Sequence, residues 1–182
     1  ITCRLGLATA ISLREKTIFI GDQPLPFEVL IIALGSQTNF HNIAGLEQHA
    51  LTLQSASDAE KIYRHLSVMC AKASSEPDPD LRKQMLRFVV GGGGLSGIEL
   101  AGELVDHVSR SVIDYQLSES DPEVIVVEAA DDILPASGNE LRQHVRARLA
   151  EKGVRILPRT KVIEVSSGGV TLSTGEVLRA GT

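Results

Sequence analysis

The 182-residue sequence predicts an α/β fold: a parallel sheet with helices on both faces, plus a small antiparallel β-meander. Three observations predict it. Continuous apolar runs at residues 29–34, 88–90 and 124–127 suit strands buried on both faces. Stretches with apolar residues at helical spacing alternate with the later runs. A glycine cluster, Gly91-Gly92-Gly93-Gly94, stands where one such strand gives way to a helix.

The elements follow in order. Residues 8–13 and 17–20 are short apolar-rich runs split by the polar turn Arg14-Glu15-Lys16, and Gly21-Asp22-Gln23-Pro24 makes a second turn. The run 29–34 is expected to be a strand ending at Gly35, and residues 36–52 a connecting loop. Ser57 followed by Glu60 is a capping-box signature, and Ile62, Leu66 and Met69 then share one helical face. The proline-rich, polar stretch 74–80 stops that helix. Phe88-Val89-Val90 is a strand. After the glycines, Ile98, Ala101, Leu104, Val105, Val108 and Val112 form a helix stripe, with 107–123 read as helix extension plus loop. Val124-Ile125-Val126-Val127 is the next strand, ending at Glu128. Ser137 and Glu140 form a second capping pair, Leu141, Val145 and Leu149 the stripe behind it, and Gly153 a C-terminal stop. Val154-Arg155-Ile156-Leu157 is a third strand, completing strand–helix–strand–helix–strand.

An internal repeat is visible as well. Ile11-Ser12-Leu13 aligns with Ile163-Glu164-Val165. At the same offset Ile18-Phe19-Ile20 meets Val170-Thr171-Leu172, and Leu25 meets Val177. Both copies read as antiparallel meanders. The repeat implies two related domains, each incomplete here. It also suggests that residues 29–34 fill a vacant strand position beside Phe88-Val89-Val90, in the same chain or a neighbour's, because an open central edge is costly.

Composition narrows the function. Hydrophobic residues make up 43% and charged residues 23%, enough for a sizeable core. A net charge of -5 argues against nucleic-acid binding, which needs a basic face. The two cysteines, Cys3 and Cys70, form no C-x-x-C pair, so neither a disulfide framework nor a local dithiol centre is expected. The five histidines are scattered, and no metal site is expected. Neither tyrosine begins a Tyr-x-x-x-Lys pattern. No apolar run reaches membrane-spanning length and no signal peptide is evident. The chain opens on Ile1 and reads as part of something longer.

Gly92-Gly93-Gly94-Leu95-Ser96-Gly97 is a G-x-G-x-x-G in the right setting, after a strand and opening a helix. This is the phosphate turn of a Rossmann-like dinucleotide fold. Gly92 permits the tight turn, Gly94 lets the backbone approach a pyrophosphate, and Gly97 lets helix and strand pack closely. The helix N-terminus offers unpaired N–H groups to the phosphates. Glu128, at the end of the second strand, is placed to accept bonds from the adenosine ribose 2′-OH. Ala129, Ala130, Asp131 and Asp132 follow it, with no cation for a 2′-phosphate, which predicts NAD(H) over NADP(H). Glu99 reads either as a first-turn acid favoured by the helix dipole or as a group on the nicotinamide side. Arg142, Arg146 and Arg148 read as a solvated helix surface.

The run from Phe88 to Leu104, FVVGGGGLSGIELAGEL, resembles the NADH motif of the FAD-dependent pyridine nucleotide-disulfide oxidoreductases. Val126-Val127-Glu128-Ala129 through Ile133-Leu134-Pro135 resembles that family's second strand and its exit. Leu30-Ile31-Ile32-Ala33-Leu34-Gly35-Ser36 resembles the strand that closes the FAD domain, although Leu34 replaces the usual Thr and Leu95 a common Pro or Tyr. Residues 35–45 and the insert before Val124 are most similar to the type II NADH dehydrogenases. The resemblance implies a tail of a FAD-binding domain at 1–36, a connector at 37–56 and an NAD(H)-binding domain at 57–182 without its last strand. It implies NAD contacts at Gly92–Gly97, Glu99, Glu128 and Ala129, and a flavin side at Ala33, Leu34 and Gly35. The parent would pass a hydride from NADH to FAD and on to a quinone, in the cytoplasm or at its membrane face, with a homodimer left open. The piece alone is expected to bind no FAD and to lack turnover. Alternatives are a disulfide reductase or sulfide:quinone-type flavoprotein, an NADH-sensing module, or a methyltransferase using a similar glycine turn.

Overall fold

The computed structural model describes residues 2–181. The chain divides into two compact units, Ile1–Ser36 and Gln37–Thr182.

The first unit is an antiparallel meander of β1 (Ala8–Ser12), β2 (Thr17–Ile20) and β3 (Gln23–Pro26). Residues 29–34 are not a strand, and Val29, Ile31 and Leu34 are more than four-fifths exposed. This corrects the expectation of a closing strand there. An apolar run becomes a strand only when a partner takes its N–H and C=O groups, and hydrophobicity alone supplies none.

The second unit is built on a parallel sheet in the order β4 (Arg87–Gly91), β5 (Glu123–Val127), β6 (Arg155–Leu157). The register sets Val90 opposite Val126 and Val126 opposite Ile156. Side chains alternate across it. Phe88, Val90, Val124 and Val126 face a core shared with α2 (Ala56–Ser74), α4 (Leu95–Asp114) and α5 (Asn139–Glu151). Ile125 and Val127 face a second core with Val170, Leu172 and Leu178. These belong to the meander of β7 (Val162–Ser166), β8 (Gly169–Leu172) and β9 (Val177–Leu178). The fold is thus the expected mixed α/β one, but helices cover one face of the sheet and the meander covers the other. Among the described residues no helix is long and apolar enough to cross a membrane.

The repeat holds in geometry. Ile11 pairs with Ile18, and Val165 with Val170. Ser12 pairs with Thr17, and Ser166 with Gly169. Both first strands carry an irregularity at the same place, between Ala8 and Ala10 and between Val162 and Glu164. The counterpart of Ile11 is therefore Val165, not Ile163. That of Leu25 is Leu178, because both sit opposite the equivalent residues Ile18 and Val170. The turns differ in length, so an ungapped alignment drifts.

The connector is not plain loop. It holds the short α1 (Leu46–His49), and the Ala44 carbonyl accepts the Val165 N–H at 2.9 Å. The break at 74–80 is real, but Pro79 opens a further helix, α3 (Pro79–Met85), capped by Asp78. Two cap assignments shift. The N-cap of α2 is Ser55, whose Oγ accepts the Asp58 N–H at 3.2 Å, so the operative pair lies two residues before Ser57 and Glu60. The N-cap of α5 is Gly138, whose carbonyl accepts the first helical bond, from the Arg142 N–H at 3.2 Å. Leu149 is buried and Val145 partly so, but Leu141 is half exposed and leaves the stripe. Gly153 ends α5 as expected, with φ 80°, and Val154 beyond it donates to the Leu149 carbonyl.

Candidate functional site

The glycine turn joins β4 to α4. The Gly92 N–H donates to the Val127 carbonyl at 2.8 Å, continuing the ladder one step past the strand. Its φ of 103° then turns the chain in a region that side chains avoid. A Cβ on Gly97 would fall inside the Gly92 carbonyl oxygen, so this glycine is what brings α4 close to β4. A Cβ on Gly94 would meet nothing. That side of the turn is open, and Gly94 is the N-cap of α4 with no side chain to satisfy the first N–H groups. The earliest intrahelical bond runs from the Ile98 N–H to the Gly94 carbonyl. The N–H groups of the first turn have no side-chain cap.

Gly93 has a role that motif spacing does not assign. It is buried, its N–H donates to Glu128 Oε2 at 2.6 Å, and its carbonyl accepts the Leu134 N–H at 2.7 Å. The Ala130 N–H donates to Glu128 Oε1, also at 2.6 Å. The carboxylate at the end of β5 is thereby held by two backbone donors. Each oxygen keeps acceptor capacity for a further bond. Ile133 and Leu134 are buried beneath the turn, and Leu134 takes a left-handed backbone (φ 48°) to get there. No sequence motif announces this staple. The surplus glycine and the apolar pair after Asp131-Asp132 are its only traces.

The other candidate residues are spread around this centre. Leu95 and Ser96 are exposed on the first turn of α4, and Ala129 is exposed beside Glu128. Glu99 is exposed in the second turn of α4. It is not a first-turn acid, because the helix starts at Leu95 and not after Gly97. Ala33, Leu34 and Gly35 lie in the other unit, in an exposed segment without secondary structure. Asp132 pairs with Arg146 at 2.5 Å, and that guanidinium holds its carboxyl below the usual carboxylate range. The helix arginines are engaged rather than merely solvated: Arg142 donates to the Ser137 carbonyl and Arg148 to Glu151.

Comparison with known proteins agrees with this geometry. The family model for pyridine nucleotide-disulphide oxidoreductases matches residues 3–182. The mitochondrial external alternative NADH-ubiquinone oxidoreductase of Yarrowia lipolytica is 31% identical over 87% of this chain and 27% of its own length. A type II NADH:quinone oxidoreductase of Staphylococcus saprophyticus is 28% identical over 82% of this chain and 37% of its own. The chain therefore spans about a third of these relatives. Among solved structures, NDH2 from Plasmodium falciparum in complex with NADH superposes with a TM-score of 0.77 over 96% of this chain and 38% of that one, at 23% identity. An NAD-dependent persulfide reductase from A. fulgidus matches with a TM-score of 0.59 at 28% identity, over 97% of this chain and 29% of that one. By its sequence and its fold, the chain belongs to the pyridine nucleotide-disulphide oxidoreductase family.

Proposed function

We propose that this chain is the NADH-binding part of a flavoprotein oxidoreductase whose whole passes a hydride from NADH to FAD and on to a quinone. The observation that carries the reading is one constellation. A helix N-terminus at Gly94 with no side-chain cap adjoins a carboxylate, Glu128, fixed by the Gly93 and Ala130 N–H groups. Diphosphate fits the first feature and a ribose diol the second. The relatives' names support NADH as donor and quinone as acceptor.

Residues 57–182 would then be the NAD(H)-binding domain, 37–56 its connector and 1–36 the tail of a FAD-binding domain. The chain's own part in the reaction is positional. The α4 N–H groups hold the pyrophosphate, Gly94 leaves it room, and Glu128 fixes the adenosine ribose. Pinning that end sets where the nicotinamide falls, and orientation of this kind is a large part of catalysis when a cofactor does the chemistry. FAD would supply the hydride acceptor. The whole protein would sit peripherally on a membrane, where quinones dissolve. A persulfide or disulfide reductase is the second reading, favoured by the A. fulgidus match.

The test is calorimetric titration of the chain with NADH, NADPH and S-adenosylmethionine. Binding of NADH is expected, and binding of S-adenosylmethionine alone would overturn the reading. NADH-driven quinone reduction by the full-length flavoprotein then separates it from a persulfide reductase.

A further inference from the structure

No lysine or arginine stands among Ala129-Ala130-Asp131-Asp132, directly after Glu128, but the fold supplies a cation from another element. The segment between β6 and β7 crosses the end of β5. There the Arg159 N–H donates to the Ala130 carbonyl at 2.8 Å, and the Thr160 N–H to the Glu128 carbonyl at 2.9 Å. The backbone of Arg159 is thereby held at the end of β5, next to the residue whose carboxylate is read as the ribose contact. Its backbone is left-handed, with φ 52°, a conformation that suits Gly or Asn. The position nevertheless carries an exposed arginine. The arginines of the neighbouring helix are occupied by Ser137, Asp132 and Glu151. Among the described residues the Arg159 guanidinium has neither a hydrogen bond nor an ion pair.

We propose that Arg159 is the specificity-determining cation at the adenosine end of the site, placed to receive a 2′-phosphate. Guanidinium is the side chain best matched to phosphate oxygens. On this view the charge of Glu128 turns NADPH away, and Arg159 sets how well a 2′-phosphate is received once that charge is removed. Asp132 does not compete for it, since Arg146 neutralises that carboxylate. The inference rests on reading Gly92–Gly97 and Glu128 as a dinucleotide site.

Calorimetry of the 182-residue chain with NADH, NADPH and 2′,5′-ADP tests it. The wild type is expected to prefer NADH. Glu128→Gln should shift the NADPH-to-NADH affinity ratio by about tenfold or more toward NADPH, the scale of one charge-assisted bond. Arg159→Gly added to that variant should abolish the gain for NADPH and 2′,5′-ADP together, and Arg159→Lys should keep part of it. Glycine accepts the left-handed backbone, so Arg159→Gly should melt no lower than its parent, which excludes unfolding as the cause. If the gain of Glu128→Gln survives Arg159→Gly, the Arg159 inference is wrong while the site reading stands. If the folded wild type binds no nucleotide at all, both fall.

Discussion

Two glycines of one turn have separable parts, and the residue scale is where they can be pulled apart. Gly97 serves packing, because a Cβ there collides with the Gly92 carbonyl. Gly94 has no packing role, because a Cβ there meets nothing in the protein, and in the proposed site it leaves room for the ligand. Gly97→Ala should therefore lower stability by about 1–3 kcal/mol through overpacking. Gly94→Ala should leave the melting temperature almost unchanged and weaken NADH binding at least about tenfold, the loss expected when a close phosphate contact is pushed out. Thermal melts and titrations on the two variants check this, and a shared loss of both properties would contradict the division of labour. The motif made Gly92, Gly94 and Gly97 legible from spacing alone. Gly93 was not legible, because its partners Glu128 and Leu134 are brought to it only when β5 pairs with β4. Arg159 was hidden for the same reason, since its neighbours Ala130 and Glu128 lie on a different element.

At the scale of the element, the sequence was most informative where a side chain's partner is close in the chain. The stripe from Ile98 to Val112 is buried nearly as its spacing implied, and Gly153 ends its helix. Caps were harder, because serines recur. Ser55 and Ser57 each have an acid three residues on, and only packing of Ile62, Leu66 and Cys70 selects the earlier start. Ser55→Ala should cost about 1 kcal/mol and Ser57→Ala almost nothing. Denaturant midpoints decide this, and equal losses would return the cap to Ser57. The missed α3 shows the opposite case. Pro79 reads as a breaker in a polar stretch, yet with Asp78 before it the ring sits at a first helical position, where its missing N–H has no consequence. Long-range charge then locks the helix: Arg82 reaches the buried Asp121 at 2.6 Å, a contact no local pattern encodes. The meanders show how far a weak repeat can be trusted. Their strand registers and irregularities match, while the alignment that revealed them slips at each turn.

For the molecule as a whole, the parallel sheet could be anticipated from the alternation of strands and helices, but the cover of its two faces could not. Residues 29–34 have the composition of a central strand and do not form one, since pairing is a property of two segments and composition of one. The same distinction governs how stability should respond to pH, which depends on groups buried or paired only in the folded chain. His107, half-buried between α2 and α4 against Tyr63, is held by desolvation, with a smaller push from Arg110, below its ordinary 6.5. Unfolding frees it to take a proton, so its contribution is present above pH 6.5 and is lost as pH falls below that value. Asp58, bonded to Lys61 and Ser55, and Asp132, bonded to Arg146, are likewise lowered from 3.8, so their contributions are lost in a second, more acid stage. Cys70 behaves oppositely. Burial raises its thiol above the ordinary 9.0, so its contribution is complete below that pH and is lost as the medium becomes more alkaline. Denaturation followed by circular dichroism should therefore show a plateau of stability between about pH 6.5 and about pH 9.0, with a two-stage fall on the acid side. His107→Gln should remove the first acid stage and leave the second. Cys70→Ala should flatten the alkaline limb at the expense of a small cavity in the core, worth about 1 kcal/mol at every pH. An acid limb unchanged by His107→Gln would mean that the α2–α4 contact carries no proton linkage, and that the carboxylates alone set the acid limit.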